Sequence, residues 1–209
     1  MKSWGSALKQ KASMAALVYS VAVLTIFILY LPYFFNEVIA PKPGVSLNDF
    51  ILNHLVAIDC SWIIFILIYA CLLQTIITNA RSPDVILLGL VTYCSVSLMR
   101  LLTIYLFTLE PPANLVPLSD PFVSLIAYES SFTKDLFYSG HVSTLAVLVM
   151  IEPRKIFRYL KLISTLVVTI LLLLQHVHYT IDVLFAPVIA FLILRTMAKL
   201  FSLPIPNYS

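Results

Sequence analysis

Charge is the scarcest commodity in this sequence. Lysine, arginine, aspartate and glutamate supply 11% of its 209 residues, while 61% are hydrophobic, which excludes an ordinary soluble globular domain. Only four glycines are present, so a glycine beside polar residues stands out. The three cysteines, Cys60, Cys71 and Cys94, all lie in apolar stretches, where a thiol serves as a small core residue. Neither a disulfide framework nor a metal site is inferred from them. Internal repeats and low-complexity segments are lacking, so residues 1–209 read as one domain. The first apolar run, Ala15 to Phe35, is too long for a signal-peptide core and lacks a small-residue cleavage pattern. It is expected to stay as a membrane helix.

What the sequence does have is long apolar runs. Taking about 20 apolar residues per crossing, six spans are predicted near residues 15–35, 58–77, 84–107, 139–152, 156–175 and 179–198. The fold class is therefore all-α: a polytopic membrane protein with six transmembrane helices in one bundle, its catalytic half at about 84–198. Residues 45–57 mix apolar side chains with Asn48, Asp49, Asn53 and His54, a pattern that predicts a short helix lying in the interface. The longest connection, 108–138, carries Pro111, Pro112, Pro117 and Pro121, which exclude a long helix there.

Placement of the basic residues gives an orientation. Lys2, Lys9, Lys11, Arg81, Arg154, Lys155, Arg158, Lys161, Arg195 and Lys199 fall on one side of six spans. Lys42 and Lys134 fall on the other, with Arg100 inside the third span and most of the acids. By the positive-inside rule both termini are expected in the cytoplasm, with the loop before Ser139 and the turn holding His178 on the exoplasmic side. Helical rise adds a check that ignores charge: counted at about 1.5 Å per residue from the cytoplasmic ends, Arg100, His141 and Asp182 come to one depth.

Two polar islands break the apolar second half, Ser139-Gly140-His141 and His176-Val177-His178-Tyr179-Thr180-Ile181-Asp182. Ionisable groups at membrane depth are costly and mark chemistry or transport. His178 and Asp182 are four apart, so on a common helix face the carboxylate orients the imidazole and frees its other nitrogen as nucleophile or base. Ser139 can cap the fourth span and, with Gly140, opens a helix start suited to an anion. Arg100 offers donors that match phosphate oxygens. His176, two residues from His178, points to another face and reads as structural, and His54, Asp49 and Glu110 read as interface residues.

Ser139-Gly140-His141 and His178-Tyr179-Thr180-Ile181-Asp182-Val183 resemble the paired signatures of the sphingomyelin synthase-related family, within the type 2 phosphatidic acid phosphatase superfamily. Asp135-Leu136-Phe137-Tyr138-Ser139-Gly140-His141 is similar to its Asp-x-x-Phe-Ser-Gly-His pattern, and Arg100-Leu101-Leu102-Thr103-Ile104-Tyr105 with Thr108-Leu109 to its Arg-x-x-Thr-x-Tyr-x-x-Thr-Leu segment. The resemblance implies that His178 attacks a lipid phosphorus to give a phosphohistidine, that Asp182 orients His178, and that His141 protonates the departing alcohol. Arg100, Tyr105, Asp135, Ser139, Gly140 and Tyr179 are the implied substrate-binding residues. The partners are membrane lipids, a phospholipid donor and a lipid alcohol acceptor, with no cofactor, metal or nucleic acid.

Superfamily phosphatases usually carry a Ser-Arg pair where this chain has Leu171-Leu172. A phosphomonoester dianion needs several cations and a phosphodiester fewer, which favours head-group transfer. A hydrolase on the same residues and a non-enzymatic lipid binder or transporter stay open as alternatives. The orientation has a direct check: in a cysteine-free background, Lys155→Cys is expected to react with an impermeant maleimide only from the cytoplasm, and Ala113→Cys only from the other side. The reverse labelling would invert the assignment.

Overall fold

Backbone groups in hydrocarbon must find hydrogen-bond partners within the protein, so apolar runs become helices. The computed structural model of the chain describes residues 3–120 and 133–207. Among them lie α1 (Trp4–Ala7), α2 (Lys11–Tyr33), α3 (Ser61–Asn79), α4 (Pro83–Leu106), α5 (Gly140–Ile151), α6 (Lys155–Leu174) and α7 (Thr180–Leu200). A π-helical turn, Phe34–Ile39, extends α2. The described residues form no strand, only an isolated bridge between Val45 and Leu109. The protein is the predicted all-α polytopic membrane fold.

Local sequence explains several boundaries. Pro83 opens α4, where a missing N–H costs nothing, and Asp84 in the first turn faces the positive end of the helix dipole. Lipid-facing positions carry large apolar side chains such as Ile28, Leu29, Trp62 and Leu106, whereas small polar ones such as Ser13, Ser20, Thr75 and Thr92 point inward. Several of these bond within their own helix, as Ser20 does to Ala16 O and Thr75 to Cys71 O, both at 2.8 Å.

The centre of the bundle is α5, which packs on α3, α4, α6 and α7. Its Val142, Leu145, Ala146, Val147, Leu148 and Ile151 are all buried. Helices in lipid have no hydrophobic drive to associate and rely on close packing through small residues. Ala186 and Ala190 of α7 are accordingly fully buried. Gly89 of α4 allows Ile151 to approach so closely that a Cβ there would lie 2.6 Å from its Cδ1.

Three expectations need correction. Five helices are long and apolar enough to cross a membrane, but α5 is not among them. Its twelve residues rise about 18 Å, short of a hydrocarbon core of about 30 Å. The expected fourth crossing is thus a short helix reached through residues 133–139, irregular backbone whose Leu136, Tyr138 and Ser139 are buried in protein. The interfacial helix expected over 45–57 is only a 3₁₀ turn, Leu52–His54. There the Asp49 carboxylate accepts the N–H groups of Ile51 and Leu52 at 3.0 and 3.3 Å, a side-chain bond that competes with helix formation.

The third correction concerns Lys161, which charge placement counts with the turn between the fourth and fifth spans. It is buried, with Nζ 2.5 Å from Glu152 Oε2, and Glu152 itself is fully buried. Glu152 also accepts the N–H of Arg154 at 3.2 Å and the amide of Asn79 at 3.5 Å. This polar knot closes the α5–α6 turn against α3, at the opposite end of α5 from His141. Lys161→Met alone should destabilise the protein by about 3–5 kcal/mol, because it strands a buried carboxylate. Thermal unfolding of Lys161→Met against the double variant Glu152→Leu/Lys161→Met checks this: the double should recover most of the loss, and equal stability of single and double would refute it.

Candidate active site

The starts of α5 and α7 meet. Ser139 caps α5, its Oγ accepting the N–H of Val142 at 3.4 Å, and its own N–H donates to Asp182 O at 3.1 Å. The two islands predicted to share a depth are therefore joined directly. His141 and His178 face each other with ring centroids 6.4 Å apart, and the edge of Phe65 from α3 closes on His141 at 5.7 Å. His178 and Asp182 are buried.

His178 Nδ1 lies 3.4 Å from Asp182 Oδ2, close enough for an ion pair but without hydrogen-bond alignment. The shared helix face expected for this pair is not what joins them. Helix α7 begins at Thr180, so His178 precedes it, and Asp182 turns back over the helix start, where Oδ2 accepts the N–H of Tyr179 at 3.0 Å. A capping geometry brings acid and imidazole together. His141 Nδ1, His178 Nδ1 and Asp182 Oδ1 are all buried without hydrogen-bond partners. Buried polar atoms are nearly always satisfied, so three exceptions in one place mark a site with bonding capacity in reserve.

Arg100 reaches the same place from α4. Its Nε donates to Tyr138 O at 2.8 Å, and Nη2 donates to Asp135 O at 3.1 Å and lies 2.8 Å from Asp135 Oδ1. Thr103 adds a bond to Phe137 O at 2.9 Å. The expected free fork is thus partly committed to holding the loop that delivers Ser139, and Nη1 is left toward the helix start. A Cβ on Gly140 would come within 2.8 Å of Nη1 and 2.9 Å of Cζ, so glycine is what lets the guanidinium lie against α5. Backbone N–H groups and a cation then share one small volume, the electrostatic setting an anion requires.

Tyr105 and Tyr179, also implied as substrate contacts, are engaged within the protein. Tyr105 is half-exposed with Lys42 Nζ 4.1 Å above its ring, in a cation–π contact. Tyr179 is buried; its hydroxyl accepts the N–H of Leu47 at 3.2 Å and donates to Glu110 O at 3.0 Å. His176, read as structural, adopts φ +55° and binds Ala113 O through Nδ1 at 2.9 Å.

Sequence reading missed the residues that anchor the segments around this site. Asp49 is no mere interface residue: its carboxylate accepts the N–H of Thr180 at 2.6 Å and its hydroxyl at 3.0 Å, anchoring the start of α7. Burial alone would raise its pKa, but the bonds from Thr180, Leu52 and Ile51 outweigh that and hold it below the usual 3.8. Its contribution is therefore complete above that value and is lost as pH falls through the depressed one. Glu110 is likewise held low, by Lys134 at 2.9 Å and by the N–H of Gly44. Gln175, fully buried, joins three segments: it accepts the N–H of Cys60 at 3.0 Å and donates to Ser61 Oγ at 2.8 Å and Pro117 O at 3.2 Å. The signal available was its polarity at the end of an apolar helix.

A pair of facing imidazoles, one backed by a carboxylate and set beside an anion-binding helix start, is suited to nucleophilic and acid–base work on a phosphoryl group. Residues 134–199 match the family model PAP2 superfamily C-terminal. The match supports the PAP2 superfamily, whose members are generally phosphoesterases. It runs from Lys134 before the loop through His141, His178 and Asp182 to Lys199, about a third of the chain, and leaves Arg100 outside. No curated protein matches the chain.

Gly140→Ala tests the PAP2-like arrangement. The added methyl must push the Arg100 guanidinium aside, and a misplacement near 1 Å can cost about a hundredfold in rate. Phosphoester turnover should fall by at least about tenfold; turnover at the wild-type level would show that Arg100 does not need its place against α5.

Proposed function

We propose that this protein moves a phosphorylated head group from a phospholipid to a lipid alcohol through a phosphohistidine on His178. The observation that carries this reading is the pairing of His141 with a carboxylate-backed His178 at 6.4 Å between rings. Such a pair can flank one phosphorus, with a nucleophile about 3–3.5 Å from it on one side and a proton donor about 2.6–3.2 Å from the leaving oxygen on the other.

In the first half-reaction the Nε2 lone pair of His178 forms an N–P bond as the P–O bond to diacylglycerol breaks. The electron pair leaves on that oxygen, which takes a proton from the imidazolium of His141. Asp182 balances the positive charge of the phosphorylated ring, whose Nδ1–H faces it. In the second, neutral His141 takes the proton of an acceptor hydroxyl, the acceptor oxygen bonds to phosphorus, and the N–P electron pair returns to His178.

The resemblance to the sphingomyelin synthase-related family supports transfer over monoester hydrolysis, with ceramide or diacylglycerol as acceptor. So does the supply of cations. Leu171 and Leu172 stand where superfamily phosphatases usually carry Ser-Arg, Leu172 is fully buried, and Lys134 is engaged by Glu110. One arginine at a helix start suits a phosphodiester monoanion. The distribution of lysine and arginine supports a site opening to the exoplasmic side. A hydrolase would use the same residues and end with water, and it is the second reading because the PAP2 match covers phosphatases as well.

Purified protein offered phosphatidylcholine, with ceramide or a diacylglycerol of different chains, is expected to form a head-group-exchanged lipid by mass spectrometry, phosphatidic acid being offered separately, and His178→Ala should lose at least about a thousandfold of that activity. Inorganic phosphate from phosphatidic acid without exchange would make it a hydrolase. Retention of activity within tenfold in His178→Ala would remove the covalent step.

A further inference from the structure

A second polar feature lies at the far end of α7, one helix length from the histidines. Beyond Leu200 the chain turns at Ser202, with φ +50°, and the N–H of Leu203 donates to Ala198 O at 2.9 Å. Leu203 is buried, so the tail folds back along the helix that precedes it. Between tail, α7 and the end of α5 this leaves a groove of about 360 Å³, lined by Met150, Leu194, Ile205 and Pro206, with Arg195 and Asn207 supplying its polar groups.

Arg195 is exposed and lies over the Phe191 ring at 5.9 Å. Among the described residues neither Arg195 nor Lys199, four residues on and on the same face, makes an ion pair. Glu152, at the same end of the bundle, is fully buried and held by Lys161. Arg195 lies five residues from the end of α7, or about 7.5 Å, the depth at which a long cationic side chain reaches the head-group layer.

We infer that this groove seats an anionic phospholipid of the leaflet opposite the histidine site. An acyl chain lies against Met150, Leu194 and Ile205, and the phosphate is bound by Arg195 with Asn207 as a second donor. Charge selects the ligand: Arg195 and Lys199, neither in an ion pair among the described residues, favour an anionic head group over a zwitterionic one, as basic pockets between membrane helices do. The site is separate from the proposed chemistry and does not depend on it.

The test uses full-length protein in detergent, with retained lipid counted by native mass spectrometry after exposure to phosphatidylglycerol or phosphatidylcholine of identical chains. Wild type should retain phosphatidylglycerol at least fivefold over phosphatidylcholine. Arg195→Gln, on an exposed position, should remove that preference without changing the melting temperature, and Ile205→Trp, which fills the groove, should lower retention of both lipids. Glycerol 1-phosphate, a head group without chains, should fail to compete at equal concentration. Equal retention of the two lipids by wild type, an unchanged preference in Arg195→Gln, or full competition by glycerol 1-phosphate would each overturn the inference.

Discussion

One backbone hydrogen bond, from Ser139 N–H to Asp182 O, sets the height of everything that matters here. It ties the start of α5 to the start of α7, so the histidine that opens one helix faces the histidine that precedes the other. Because α5 is also the most enclosed helix of the bundle, its position is dictated by neighbours on every side and cannot drift. Arg100 completes the frame from α4, holding the loop before Ser139 while its guanidinium lies against a glycine that leaves room for it. A precise arrangement of three side chains thus rests on helix ends, the parts of a membrane protein where polar groups can be both buried and useful.

The bundle and the islands were legible in the sequence because lipid imposes a strong and simple code. Apolar length gave the long helices, and residue counts from their ends gave the common depth of Arg100, His141 and Asp182. What the sequence hid was everything decided by local competition. Asp49 uses its carboxylate on nearby N–H groups and on Thr180, so the expected interfacial helix does not form and the residue anchors α7 instead. His178 and Asp182 are four apart, yet a cap unites them, since the helix begins between them. Lys161 counts with the turn between the fourth and fifth spans by charge placement, and only packing reveals it buried against Glu152.

The protein therefore carries two buried polar layers at opposite ends of α5, and they differ in whether their ionisable groups are paired by hydrogen bonds. In the Glu152–Lys161 layer both charged groups are engaged: acid, cation, amide N–H and backbone N–H close on one another, and Asn79 Oδ1 alone is left without a partner. The histidine layer differs, since His141 Nδ1, His178 Nδ1 and Asp182 Oδ1 have no hydrogen-bond partners. A closed network stiffens a fold, whereas an open one awaits a ligand or a change of charge. The contrast separates scaffold from chemistry within a single short helix.

The segment docked on the start of α7 also has a history written into its contacts. Leu47 and Asp49 are held by Tyr179 and Thr180, residues 132 and 131 positions later in the chain. Closing such distant pairs is slow compared with forming any one helix. During synthesis Val45 can pair with Leu109 as soon as α4 is complete, but Leu47 and Asp49 must wait for the last helix to emerge, so biogenesis ends with the docking of this segment onto the start of α7.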